Sequence, residues 1–167
     1  MFISMYQISV PVFTRMLSNL AAILEKAAAH CADKKIDPAA LINYRLYPDM
    51  FAFAKQVQIA TDAARNGSAY LAGVEPLKLD NTEQSFPELI ARVKQTIEYV
   101  NGFSPAQIDG SEAREVTIKR GDTTLSYKGQ PYLLNRVLPN FYFHITTAYD
   151  ILRHNGVELG KKDYLGT

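Results

Sequence analysis

His144 and Asn140 stand one helical turn apart in the run Asn140-Phe-Tyr-Phe-His144, a spacing that lets two side chains converge on one ion or ligand from a single helix face. At about 100° per residue, Asn140, His144 and Ile151 fall in one narrow sector, with Thr147 and Ala148 on either side. A lone imidazole on an apolar face is either a core histidine satisfied by hydrogen bonds or one member of a polar site. The same wheel over an earlier helical run turns Gln58 inward between Ala54 and Phe51, with Gln56 on the opposite flank as the alternative. Asp62, one turn beyond Gln58, is the only acid near this sector. One imidazole with two neutral amides makes a poor zinc set, but the three suit a hydrogen-bonded network or a polar ligand.

The remaining candidates are weaker. His30 and His154 lie near helix C-termini, where an imidazole complements the helix dipole. Cys31 sits on an apolar stripe and reads as a buried, inert thiol, with only His30 beside it as a basic partner. The ten tyrosines and eight phenylalanines could line a pocket, yet aromatics at helical spacing are first of all packing. There is no glycine-rich phosphate loop, no cue for a serine-histidine-aspartate triad and no carboxylate-rich metal motif.

Four long amphipathic segments must position these groups. Ser9 and Pro11 open the first, with Phe13, Met16, Leu17, Leu20, Leu24, Ala27 and Cys31 at three- and four-residue steps. Asp37-Pro38 starts a short segment through Ile42. The second long helix runs from Asp49 through Met50, Phe53, Val57 and Ala64 to a stop at Asn66-Gly67. The third begins at Ser85-Phe-Pro-Glu88, a capping box, and ends at Asn101-Gly102. Val116 and Ile118, then Leu125 and Tyr127, alternate about an Arg120-Gly121-Asp122 turn and predict a small hairpin. The fourth helix spans Pro131 to Asn155, with a bend expected at Pro139. The long connections after Gly67 and after Gly102 leave room for crossovers.

At 167 residues the chain has the size of one domain, 1–167, able to bury about 70% of its unfolded surface. Its 47% hydrophobic and 21% charged residues are ordinary, and a net charge of +1 favours no nucleic-acid partner. A single cysteine excludes an internal disulfide and fits a reducing cytoplasm. The start Met1-Phe-Ile-Ser-Met-Tyr-Gln lacks the pattern of a secretion signal, and no run reaches about 18 apolar residues, so no membrane partner is expected.

The segment Pro139-Asn-Phe-Tyr-Phe-His144 through Gly156 and the tail Gly160-Lys-Lys-Asp-Tyr-Leu-Gly166 resemble an uncharacterised family of the DinB-like (YfiT-like) superfamily. Tyr47-Pro-Asp-Met50, Gln56-Val-Gln58 and Tyr70-Leu-Ala-Gly-Val-Glu75 extend the likeness over nearly the whole chain. The resemblance implies an all-α fold: a four-helix bundle with long crossover connections, here with the small hairpin between helices three and four. It also implies a homodimer and, in many members, a divalent metal such as zinc or nickel held by three histidines, two from the fourth helix and one from the second. Counting back from Leu152-Arg153…Gly156, His144 takes the place of the second helix-four histidine. Asn140 stands where the first would be, and Gln58 or Gln56 replaces the histidine of the second helix. The expectation is a degenerate metal site, Gln58, Asn140 and His144, inside a pocket that also holds Gln56 and takes a small molecule. The alternative is a metal-dependent transferase or hydrolase-like enzyme that uses His144.

Overall fold

The computed structural model describes residues 3–166; Met1 and Phe2 of the N-terminal segment, and Thr167, lie outside them. The chain is mainly helical. In order it forms α1 (Val10–Lys34), α2 (Pro38–Ile42), α3 (Phe53–Ala72), α4 (Phe86–Asn101), α5 (Pro105–Ile108), β1 (Glu115–Arg120), β2 (Thr123–Lys128) and α6 (Gly129–Tyr132). A π-helical turn (Leu133–Val137) then leads into α7 (Leu138–His154), and α8 (Lys161–Leu165) follows. No helix among the described residues is long and apolar enough to cross a membrane.

The stripe read from the sequence of α1 is its core face, for Phe13, Met16, Leu17, Leu20, Leu24, Ala27 and Cys31 are all buried. α1 packs mainly on α4, α4 on α3, and α3 on α7. Phe13 closes the circuit with an edge-on contact to Phe141 of α7 at 5.0 Å between ring centres. α8 folds back along α1, where Lys26 meets Asp163 at 2.6 Å and Asn19 donates to the Tyr164 carbonyl. The buried apolar side chains of all four long helices form one core cluster.

Local signals set most of the boundaries. Asp37 accepts from the Ala39 amide and starts α2, and Ser85 accepts from the Glu88 amide at the start of α4. Glu88 reaches back to the Gln84 amide at 2.8 Å, and the hydrogen bonds it accepts there hold its carboxyl below the usual range. The expected hairpin forms, with Val116 opposite Tyr127 and Ile118 opposite Leu125. Its Tyr127 ring lies 5.8 Å from Tyr132, which seats the hairpin beside the π-turn.

Three boundaries depart from the sequence reading, the first being the start of the second long helix, which lies at Phe53 rather than Asp49. Asn66-Gly67 does not end the second long helix; α3 continues to Ala72, where Gly73, at φ 74°, closes it with a left-handed cap. Gly67 is instead a place of close approach, since a Cβ there would lie 2.7 Å from Val137 Cγ1. The fourth long segment begins at Gly129 rather than Pro131, and its irregularity precedes Pro139. The Leu138 amide donates to the Leu133 carbonyl, five residues back. A wider turn here accommodates a proline that has no amide of its own to offer the preceding carbonyls.

The segment between Gly73 and Ser85 is tied down by a buried cation. Arg92 of α4, with its side chain 2% exposed, donates from Nε to Thr61 Oγ1 (2.7 Å) and from Nη2 to Asp62 Oδ1 (2.6 Å). Its Nη1 reaches Glu83 Oε1 and the Asp80 carbonyl, both at 2.8 Å. Asp62 also receives Arg65 Nη2 at 2.8 Å. One guanidinium thus joins α3, α4 and the connection between them.

Replacing Arg92 with Met strands Glu83, which retains some access to water, and leaves Asp62 with Arg65 alone, so a loss near the low end of the buried-pair range, about 3 kcal/mol, is expected in urea denaturation. Adding Glu83→Gln should recover part of it. Gly67→Ala forces α3 away from Val137 and should cost about 1–3 kcal/mol. The pair Gly67→Ala, Val137→Ala should cost less than the sum of the two single changes, and strict additivity would show that the close approach does not matter.

Candidate functional site: the cleft between α3 and α7

His144 projects from α7 toward α3 and is 7% exposed. Its Nδ1 lies 2.6 Å from Gln56 Oε1, while Gln56 Nε2 donates to the Phe51 carbonyl at 2.9 Å. A carbonyl only accepts, so the Phe51 bond orients the Gln56 amide with Nε2 toward Phe51 and Oε1 toward the imidazole. Oε1 also only accepts, which assigns the proton to Nδ1. The other ring nitrogen, Nε2, keeps its lone pair and has no hydrogen-bond partner among the described residues. Burial pushes the His144 pKa below the usual histidine value, favouring the neutral ring.

The imidazole borders a cleft of about 660 Å³ between the N-terminal half of α3 and the start of α7. Lys55 and Ile59 stand on the α3 wall; Asn135, Arg136, Asn140 and Phe143 stand on the other. Phe51 and Phe143 flank it, 53% and 55% exposed. Farther along the same groove a hollow of about 330 Å³ shares Ile59, Arg136 and Asn140 with the first and is roofed by Ile118 and Lys119 of the hairpin. Arg136 is steadied by the Tyr127 ring, its guanidinium carbon 5.7 Å from the ring centre.

Asn140 and His144 line one cleft, as their spacing predicts, with Asn140 at the exposed rim. The glutamine that joins them is Gln56. Gln58, read from the sequence as the inward residue of the site, turns the other way and donates from Nε2 to Glu83 Oε2 at 3.0 Å. It belongs to the Arg92 network. The physical reason is that α3 is covered on two sides, by α7 and by α4, so both glutamines are buried on different faces. Asp62, the one acid assigned near the sector, is likewise held by Arg92 and Arg65.

The sequence reading missed Lys55, Arg136 and Glu83. One signal was available: Gln58, Thr61, Asp62 and Arg65 recur at three- and four-residue steps, a polar stripe on a buried helix that demands a polar partner. Elsewhere, His154 packs 6.1 Å from the Tyr44 ring. His30 borders a surface hollow with Lys26, Asp33 and Glu158. Cys31 is buried, and burial followed by the charge of Asp37 raises its thiol pKa, which disfavours the nucleophilic thiolate.

Residues 5–165 match the family model of a domain of unknown function, DUF1993. The chain belongs to that family. The DUF1993 chain is also similar to a solved structure of a DinB family member protein from Shewanella denitrificans, at 43% identity and a TM-score of 0.87. The match covers 97% of this chain and 92% of that one. No functionally curated protein matches the chain significantly.

The superfamily resemblance raises the question of a metal, and the donors of this DUF1993 chain answer it poorly. Gln56 orients His144 from behind through Nδ1, Gln58 is held by Glu83, and Asn140 offers a neutral amide at the rim. No group of three or more His, Cys, Asp or Glu side chains suited to a metal occurs among the described residues. Two cations, Lys55 and Arg136, line the same cleft. One imidazole beside two positive charges does not fit a divalent ion.

Nitrogen-15 NMR should find His144 as the Nδ1–H tautomer at neutral pH, remaining neutral below the ordinary histidine pKa of about 6.5. Gln56→Leu removes the acceptor of that proton and should lower stability by about 1–3 kcal/mol while releasing the tautomer preference. An Nε2–H tautomer in the unsubstituted protein would overturn the assignment.

Proposed function

We propose that this DUF1993 member is a single-domain cytoplasmic homodimer, a DinB-like four-helix bundle with long crossovers, whose degenerate metal site serves as a small-molecule pocket. The observation that carries the reading is the clamp on His144: Gln56, fixed by Phe51, holds Nδ1 and leaves Nε2 for the cleft. An imidazole anchored from behind is the usual support for a ligating or accepting nitrogen. Here the companions of that nitrogen are amides and cations, which suit a polar organic ligand. The family model and the Shewanella structure support the frame, and the Asn140 and His144 placement supports the pocket.

In a metabolite screen read by thermal shift and calorimetry, Asn140→Ala and His144→Ala should each weaken the identified ligand by about tenfold or more, the worth of a lost buried hydrogen bond. Unchanged affinity in both variants would remove this cleft as the binding site. Stoichiometric zinc or nickel in protein purified without chelator would overturn the degenerate site and favour the metal-dependent transferase or hydrolase. Light scattering on the eluting protein tests the dimer.

A further inference from the structure

The chemistry of the cleft narrows its ligand. Lys55 on α3 and Arg136 on the π-turn face the same space from opposite walls, and neither has an ion-pair partner among the described residues. No carboxylate lines the larger cleft. Asp62, in the adjoining hollow, already receives Arg65 and Arg92. Two unneutralised cations beside low-dielectric walls favour an anion and disfavour a cation.

His144 adds an opposite requirement. Its Nε2 lone pair accepts a hydrogen bond, so the ligand atom next to it must be a donor and not the anionic oxygen itself. Phe51 and Phe143 supply apolar surface where a hydrophobic body can be covered. The α7 wall offers a phosphate no N-terminal amides, because the helix runs unbroken from Gly129 through the π-turn into α7, whereas α3 starts at Phe53 beside the cleft, so a phosphate probe belongs in the test.

Resting on the pocket reading above, we propose that the α3–α7 cleft binds an organic hydroxy acid. Its carboxylate is held between Lys55 and Arg136, its hydroxyl donates to His144 Nε2, and its apolar body lies against Phe51 and Phe143.

Calorimetry at pH 7.5 with five probes separates the claims: 3-phenyllactate, 3-phenylpropionate, 3-phenyl-1,2-propanediol, phenethylamine and phenyl phosphate. Phenyllactate should bind tightest, exceeding the propionate and the diol by about tenfold each, the scale of one good polar contact. Lys55→Gln should erase most of the advantage over the diol, since the lost charge favours the carboxylate over a neutral hydroxyl, with Lys55→Arg restoring it. Lys55 makes no side-chain hydrogen bond or ion pair among the described residues, so this change does not threaten the fold. His144→Ala should make phenyllactate and phenylpropionate equal. Diol or amine binding as tightly as phenyllactate, still dependent on His144, overturns the acid and keeps the pocket. Phenyl phosphate in first place overturns the carboxylate. If no probe binds the unsubstituted protein at millimolar concentration, the hydroxy-acid proposal fails; a metabolite that still depends on Asn140 and His144 would leave the pocket reading standing.

Discussion

A guanidinium removed from water constrains much of what surrounds it. Arg92 is buried between two helices, and an unpaired charge there would be strongly destabilising, so partners must be delivered to it from several directions. Thr61 and Asp62 come from α3, while Glu83 and the Asp80 carbonyl come from the connection before α4. The connection is thereby folded down onto the helices. Arg92 is not itself in the cleft, yet it decides what the cleft contains: Glu83, once placed, takes the Gln58 amide with its second oxygen. Gln56 is left to face α7.

The opposite side of α3 is organised by close packing. Gln56 and Gly67 are eleven residues apart, about three helical turns, and therefore share a face. Gln56 meets His144 and Gly67 meets Val137, so α3 and α7 run antiparallel along that face. Gly67 lets the two backbones approach at one end. At the other, the imidazole and amide fill the interface with a satisfied polar pair. The π-turn before Pro139 carries the Val137 contact and brings Arg136 into the groove with Asn140 and His144. Such turns insert a residue into the helical ladder and re-aim the side chains beside it.

This arrangement relates two opposed properties. The cleft keeps a polar, anchored histidine where a metal ligand would be useful, but the charged side chains that line it, Lys55 and Arg136, are cationic. Neither property requires the other histidines of a metal centre. A neutral Nε2 beside Lys55 and Arg136 is compatible with a ligand that brings both a negative charge and a donor. Burial of the imidazole and clamping of its far nitrogen keep it in the accepting form.

Much of the fold was legible in local sequence. The α1 stripe, the Asp37 and Ser85 caps and the hairpin follow from periodicity and capping chemistry, which act over a few residues. The pairing of Asn140 with His144 was legible for the same reason, since both lie one turn apart on one helix. Asn66-Gly67 was not, because a glycine that permits close packing and a glycine that stops a helix look alike until the partner, Val137, is in place. Nor could the sequence choose between Gln56 and Gln58: a helical wheel shows that they point apart, but α3 is buried on both sides. Which glutamine meets His144 depended on Arg92 and Glu83 claiming the other from outside the helix. Sequence determined which residues share a face; tertiary structure decided which neighbour each face would meet, because those partners are brought together only when distant segments pack.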